Sequence, residues 1–140
     1  MNVIMVCLGN ICRSPMAEFV MKQEMPSWDV ESRATSTWEH GNPIHQGTQA
    51  ILQKYQIPYD LSKQSQQISQ KDFLEADLIL AMDRSNLKDL QAMAPQEALD
   101  KIHPLIDGEV PDPWYTGDFE ETYRLVRQGC QEWKEKVGEL

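Results

Sequence analysis

The sequence is short of positive charge. Its 140 residues include 13 Lys and Arg against 22 Asp and Glu, which gives a formal net charge of -9 at pH 7. Proteins that bind nucleic acids neutralise the phosphates with a basic face, and the sequence shows no cluster of basic residues that would form one. We therefore expect no nucleic-acid partner, and any anionic ligand must be bound by a local positive site against an unfavourable global field.

Long apolar runs are also missing. The longest apolar stretches have only a few residues, whereas a membrane-spanning helix needs about 20. The N-terminus lacks the basic and apolar regions of a signal peptide. We therefore expect no membrane association and a cytoplasmic location. The length and a hydrophobic fraction of 41% predict a single globular domain, residues 1–140, and leave the oligomeric state open.

Cysteine and histidine are scarce. Three cysteines are too few for a disulfide framework, so we expect free thiols in a reducing compartment. His40, His45 and His103 are scattered and lack the spacing of metal ligands. The sequence therefore predicts no metal site and no cofactor, and no role is predicted for the histidines.

Apolar segments of strand length alternate with segments of helical periodicity. Strands are predicted over residues 2–6, 29–36, 77–82 and 101–106. Helices are predicted with N-caps at Ser14, Asn42, Ser69 and Asp118, and over residues 85–93. This alternation predicts an α/β fold, a three-layer sandwich with a central four-stranded parallel sheet and helices on both faces. Ligand sites in such folds lie beyond the carboxyl ends of the strands.

The segment C-L-G-N-I-C-R-S, residues 7–14, joins the first predicted strand to the first predicted helix. Its backbone N–H groups and the helix start would form a cradle for a tetrahedral dianion. Arg13 adds a planar fork for two phosphate oxygens and can stabilise the charge of a transition state. The same positive environment favours the thiolate of Cys7 as a nucleophile. A bare Cys-x5-Arg spacing is a loose pattern, but the apolar strand before it, Gly9 within it and the Ser-Pro after it favour a phosphate site.

Residues 6–18, V-C-L-G-N-I-C-R-S-P-M-A-E, resemble the signature of the low-molecular-weight protein tyrosine phosphatases. The resemblance extends through residues 34–36, 41–43, 82–83, 85–87 and 112–115. It implies hydrolysis of phosphotyrosine in protein substrates without a metal: Cys7 attacks phosphorus, the aryl oxygen leaves, and water hydrolyses the cysteinyl-phosphate. It also implies that the loop residues bind phosphate and that two of them, Asn10 and Ser14, stabilise the loop and the thiolate. The loop residues with this predicted binding role are Leu8, Gly9, Asn10, Ile11, Cys12 and Ser14.

Asp112 is the candidate for the acid that protonates the leaving oxygen and later activates water. Taken alone, an Asp before Pro is more often a turn residue. Its place in a loop beyond the sheet edge matches the acid motif of the family. The alternatives are Asp83, Asp107 and Asp118, of which Asp83 is expected to be a helix cap or a support near the site.

Trp38, Trp114 and Tyr115 are predicted to line a slot for an aromatic leaving group. The resemblance places both tryptophans beside the mouth of the pocket and implies that Tyr115 can be phosphorylated. Ordinary core packing is expected instead for Trp28 and Trp133.

Ile11 bears on specificity. Bacterial protein arginine phosphatases resemble this loop but have Thr in the place of Ile11, and an apolar side chain favours an aryl group over a guanidinium. Phosphotyrosine is therefore the favoured substrate and phosphoarginine the alternative. Arsenate reductases coupled to thioredoxin are a further alternative, but they need two cysteines beyond the loop and this chain has only Cys130. A non-catalytic binding module would be expected to lose the nucleophile or the acid.

The roles of Cys12 and Lys63 stay open. Cys12 could form a protective disulfide with Cys7 or act as a packing thiol. The family often places a histidine that supports Asn10 in the loop after the second helix, and here Lys63 stands in that place. Cys130 belongs to the apolar stripe of the last helix and is expected in the core.

Overall fold

The computed structural model describes residues 1–138. The strands are β1 (Asn2–Cys7), β2 (Asp29–Ala34), β3 (Leu78–Ala81) and β4 (Ile102–Pro104). The α-helices are α1 (Arg13–Glu24), α2 (Gln46–Lys54), α3 (Gln70–Glu75), α4 (Arg84–Met93), α5 (Pro113–Thr116) and α6 (Phe119–Gly138), and a 3-10 helix spans Gln96–Lys101.

The four strands form one parallel sheet in the order β2-β1-β3-β4. Side chains of β1 alternate between the two faces: Val3 and Met5 pack against α1 and α6, and Ile4 and Val6 pack on the opposite side with residues of α3 and α4. A strand covered on both faces has no polar side, which explains its continuous apolar sequence. The structure confirms the predicted three-layer α/β sandwich, and β1 delivers Cys7 to the carboxyl edge of the sheet.

Two predicted helix starts are wrong. α1 begins at Arg13 after Cys12, without a side-chain cap, so Ser14 lies inside its first turn. α2 begins at Gln46 with His45 as its N-cap, three residues later than the predicted N-cap Asn42. The Asn42 side chain donates instead to the Glu39 carboxylate at 2.6 Å.

Three other helix starts follow the sequence pattern. Ser69 caps α3 in a capping box, and the Asp118 carboxylate accepts from Glu121 N at the start of α6. Asp83 caps α4, as expected for it. The 3-10 helix and the short α5 were not predicted. α5 lies in a segment rich in Pro, Gly and Asp, which carries turn signals.

Three residues predicted to pack in the core, two of them on the last helix, lie where expected. Cys130 is fully buried, and Trp28 and Trp133 pack partly buried against the main core cluster. Within residues 1–138, no helix is both long and apolar enough to cross a membrane.

Candidate active site

The loop between β1 and α1 wraps around the sulfur of Cys7. The Asn10 backbone N–H donates to Cys7 Sγ at 3.2 Å, and the Ser14 hydroxyl lies 3.0 Å from the same sulfur. The turn is made at Asn10, which has a left-handed φ of 57°, and not at Gly9. Asn tolerates this conformation better than most residues. A Cβ at Gly9 would lie 3.3 Å from the Glu39 side chain, a tight contact that Glu39 could relieve only by shifting slightly.

The side chain of Asn10 holds this turn in place. It is buried and donates to the hydroxyls of Ser14 at 2.8 Å and Ser32 at 3.0 Å. Its amide oxygen accepts from the backbone of Gln66 at 3.1 Å. Partners from the first turn of α1, from β2 and from the segment before α3 therefore fix one left-handed residue.

The direction of these hydrogen bonds is set by a buried carboxylate. Glu18 is 4% exposed and accepts from the Ser32 hydroxyl at 2.6 Å. Because an ionised carboxylate can only accept, Ser32 must donate to it and accept from Asn10. Asn10 in turn donates to Ser14, so the Ser14 hydrogen is available to Cys7 Sγ at 3.0 Å and to the more distant carbonyl of Arg33 at 3.4 Å. We call Glu18, Ser32, Asn10 and Ser14 the support network.

Lys63 does not contact Asn10. Its ammonium donates to the backbone carbonyl of Ser32 at 2.9 Å, behind the support network. Burial lowers the pKa of Lys63, with Glu18 opposing and Arg33 adding to the effect. Lys63 thus braces β2, and the side chain that contacts Asn10 from this strand is Ser32.

Arg13 is almost completely buried, with 2% of its surface exposed. One terminal nitrogen donates to Asp83 at 2.7 Å and to the carbonyl of Val110 at 3.0 Å, and the other lies 3.4 Å from Asp112. Burial by itself would lower the pKa of the guanidinium, but the neighbouring charges of Cys7, Asp83 and Asp112 raise it. Arg13 is therefore a fixed positive charge beside the sulfur.

Asp112 lies across the pocket from Cys7 and caps α5. Its Oδ1 accepts from Trp114 N at 3.1 Å, and its Oδ2 lies 3.4 Å from Arg13. Of the alternative carboxyls, Asp83 orients Arg13 and Asp118 caps α6. Neither these two nor Asp107 lines the pocket.

The pocket brings together eleven of the twelve residues predicted for the site. The twelfth, Ser14, lies behind the sulfur. Trp38 and Tyr115 are each 77% exposed and Trp114 is 58% exposed, so they form the mouth. The lining residues are Cys7, Leu8, Gly9, Asn10, Ile11, Cys12, Arg13, Trp38, Glu39, Asp112, Trp114 and Tyr115.

The three cysteines are all free thiols. Burial, with the charges of Cys7 and Asp112, raises the pKa of Cys12 to about 12. Burial also raises the pKa of Cys130. These two thiols stay protonated at neutral pH. In the described part of the chain, no three His, Cys, Asp or Glu side chains form a group that could hold a metal ion.

Sequence reasoning missed Glu39, Glu18 and Ser32. Glu39 forms part of the pocket wall and directly follows Trp38. Glu18 stands alone as a carboxylate within the buried residues 15–21 of α1, and that isolation is a signal for a buried polar network. Ser32 had no signal, because its partners come from α1 and the loop.

A thiol among inward-pointing donors, with a buried arginine beside it and a carboxyl across the pocket, defines the site of a cysteine-dependent phosphatase. The family model for low molecular weight phosphotyrosine protein phosphatases matches residues 2–140. The chain therefore belongs to the low molecular weight protein tyrosine phosphatase family. It is a protein tyrosine phosphatase that acts through the cysteinyl-phosphate intermediate characteristic of that family, and its substrates are phosphoproteins.

Individual relatives agree with this assignment. The chain is 38% identical to the low molecular weight protein-tyrosine-phosphatase YfkJ of Bacillus subtilis, over 94% of this chain and 92% of the relative. The crystal structure of SP-PTP from Streptococcus pyogenes is 57% identical, with a TM-score of 0.93 over 97% of this chain and 92% of that chain. Wzb of Vibrio vulnificus, in complex with benzylphosphonate, is 28% identical with a TM-score of 0.90, over 97% of this chain and 98% of that chain.

Proposed function

We propose that Cys7 is the nucleophile, that Arg13 binds the phosphoryl group and that Asp112 is the acid and base of this phosphatase. The observation that carries the proposal is the position of Cys7 Sγ, within hydrogen-bond distance of Asn10 N and Ser14 Oγ in a pocket also lined by Arg13 and Asp112.

In the first step the Cys7 thiolate attacks phosphorus. The S–P bond forms as the P–O bond to the tyrosine oxygen breaks, and protonated Asp112 transfers its proton to that oxygen. In the second step Asp112, now a carboxylate, takes a proton from water as the water oxygen attacks phosphorus. The S–P bond breaks, inorganic phosphate leaves and the thiolate is restored. These steps use protein side chains and water.

Arg13 stabilises the charge that spreads over the phosphoryl oxygens. Asp83 and the Val110 carbonyl hold one of its terminal nitrogens in place. The Arg13 side chain is therefore already ordered before substrate binds, so binding loses little of its conformational entropy. Loop N–H groups at the start of α1 complete the phosphate cradle.

The walls favour phosphotyrosine over phosphoarginine. Ile11 lines the pocket and gives no hydrogen bond from its side chain to a guanidinium, whereas Trp38 and Trp114 can contact an aromatic ring. The benzylphosphonate bound by Vibrio vulnificus Wzb, which carries an aromatic ring, supports this preference. The substrates we propose are tyrosine-phosphorylated proteins.

We further propose that residues 1–140 form one catalytic domain that works in the cytoplasm. The support for this location is chemical, because a nucleophilic thiolate is consumed by oxidation and needs a reducing compartment.

The test compares the wild type with Cys7→Ser on an aryl phosphate, a phosphotyrosine peptide and a phosphoarginine peptide. We expect Cys7→Ser to lower kcat on the first two by a factor on the order of 10⁵. Cys130→Ser makes the same chemical change in the core and is the matched control. Turnover that does not depend on Cys7 would refute the proposed nucleophile, and a preference for phosphoarginine would refute the role of Ile11.

A further inference from the structure

His45 has no part in the proposed chemistry, yet it contacts two residues that line the pocket, Ile11 and Trp114. It precedes α2, and its backbone N–H donates to the carbonyl of Ile11 in the phosphate loop at 2.9 Å. Its Nδ1 accepts from the backbone of Gly47 at 2.9 Å and so caps α2. One residue thus joins the phosphate loop to the start of a helix.

The imidazole ring packs between two aromatic side chains. The edge-on contact with Trp114 has a centroid distance of 5.7 Å and an interplanar angle of 82°. The stacked contact with Phe119 has a centroid distance of 5.2 Å and an angle of 20°. This packing requires glycine at position 47, because a Cβ at Gly47 would overlap the Phe119 ring. The ring of His45 therefore has little freedom to move, and it fixes one side of Trp114.

The position of Trp114 controls the carboxylate of Asp112. The backbone N–H of Trp114 donates to Asp112 Oδ1 at 3.1 Å, while the second partner of this carboxylate, Arg13, is 3.4 Å away. Within residues 111–118 only Pro113 is buried. Because few buried contacts hold residues 111–118, the aromatic contact between His45 and Trp114 contributes to the position of this segment.

We propose that His45 is a positioning residue, which couples the phosphate loop, residues 7–14, to the acid segment, residues 107–117, by holding Trp114, and through it Asp112, above the loop. This inference rests on the proposed role of Asp112 as the acid. A different expectation follows if the ring serves only to stabilise the start of α2. In that case its removal would lower stability, or lower activity equally on every substrate.

Two variants separate the ring from the cap. His45→Asn keeps a side-chain acceptor for Gly47 N–H, since Asn is a favoured N-cap, but it removes the ring. His45→Phe keeps a ring against Trp114 and Phe119 but removes the acceptor. His45→Asn therefore tests the proposed role of the ring, and His45→Phe tests the role of the residue as a helix cap.

The readout is the dependence of kcat on the leaving group. We expect His45→Asn to lower kcat on a phosphotyrosine peptide by about 2- to 10-fold, the range of a single aromatic contact. Its kcat on para-nitrophenyl phosphate, whose leaving group needs little protonation, should stay at the wild-type value. His45→Phe should keep both kcat values and lower the Tm. Equal losses on both substrates, or a selective loss in His45→Phe alone, would overturn the proposal.

The Asp112→Asn background shows whether His45 acts through the acid. We expect His45→Asn to cause no further selective loss there, because coupled residues are not additive. A selective loss that persists in this background would overturn the inference and leave the role of Asp112 intact. If Asp112→Asn alone lowers kcat equally on both substrates, the proposed acid is wrong and the inference falls with it.

Discussion

The two sides of the pocket differ in how firmly they are held. In the phosphate loop, residues 7–14, no residue is exposed, whereas eight of the eleven residues of the acid segment, residues 107–117, are exposed. Loop side chains have partners on several elements, from β2 to the acid segment itself. The Asp112 carboxylate contacts only Trp114 N and the more distant Arg13.

The two sides of the pocket therefore contribute differently to the proposed catalysis. The proposed nucleophile and phosphate cradle are preorganised, which is where electrostatic stabilisation is most effective. The proposed acid lies in a mostly exposed segment, and segments with few buried contacts open locally at low free-energy cost, which suits a part that must admit a protein substrate. We therefore expect damage to the loop to affect all substrates, and damage to the acid segment to depend on the substrate.

After loss of the proposed nucleophile Cys7, the largest effect should come from the acid segment, on one class of substrate. Asp112→Asn keeps the α5 cap acceptor but cannot supply a proton, so kcat on phosphotyrosine peptide should fall by about 10²- to 10⁴-fold. The loss on para-nitrophenyl phosphate should be much smaller. Asp107→Asn, an exposed carboxylate of the same segment that does not line the pocket, is the control. Equal losses on both substrates would remove Asp112 as the acid.

In the loop, Arg13→Lys should reduce activity without regard to the leaving group. A lysine cannot bind phosphate with two parallel N–H groups, and it leaves Asp83 and Asp112 with a weaker partner. We expect kcat to fall by about 10²- to 10³-fold on both aryl and peptide substrates. Steady-state kinetics on the two substrates check this, and a strongly selective loss would contradict the division between the two sides.

Next comes the support network behind the loop. Ser32→Ala removes one partner from the buried Glu18 carboxylate and one acceptor from Asn10, and we expect a stability loss of about 1–3 kcal/mol. Because the loop can then shift, kcat should fall by about 10-fold or more on all substrates. Denaturant unfolding and kinetics measure the two effects. Full activity would show that the loop holds its shape without Ser32.

The mouth of the pocket should give the smallest effect. Trp38 is exposed, and its replacement by Ala removes one aromatic wall without leaving a buried group unpaired. We expect KM for phosphotyrosine peptide to rise by about 2- to 10-fold with kcat unchanged. Trp133→Phe, far from the pocket on α6, is the control for loss of a tryptophan. A fall in kcat as large as that of Arg13→Lys would show that the mouth also orders the loop.

Sequence reasoning succeeded where structure is local. The alternation of strands and helices was predictable because β1 and β3 are buried on both faces and read as apolar runs. The proximity of Cys7 and Arg13 was predictable because a single loop carries both. The helix starts were wrong at Ser14 and Asn42, which have the sequence of helix caps. Their side chains contact Cys7 and Glu39 instead, residues that precede them in the chain, and cap patterns do not take such competing partners into account.

The support network shows the same limit. Glu18, Ser32 and Asn10 come from α1, β2 and the loop, and only the pairing of β1 with β2 brings them together. His45 was assigned no role in the sequence, because its neighbours Trp114 and Phe119 lie about 70 residues later.

The bond from Arg13 to the carbonyl of Val110 joins residues 97 positions apart. During synthesis the nucleophile emerges from the ribosome long before the segment that completes its arginine and supplies the acid. A nascent chain that ends before that segment therefore holds the cysteine but has neither a locked guanidinium nor a proton donor. A complete site of this kind therefore cannot form until the chain has been made as far as Asp112.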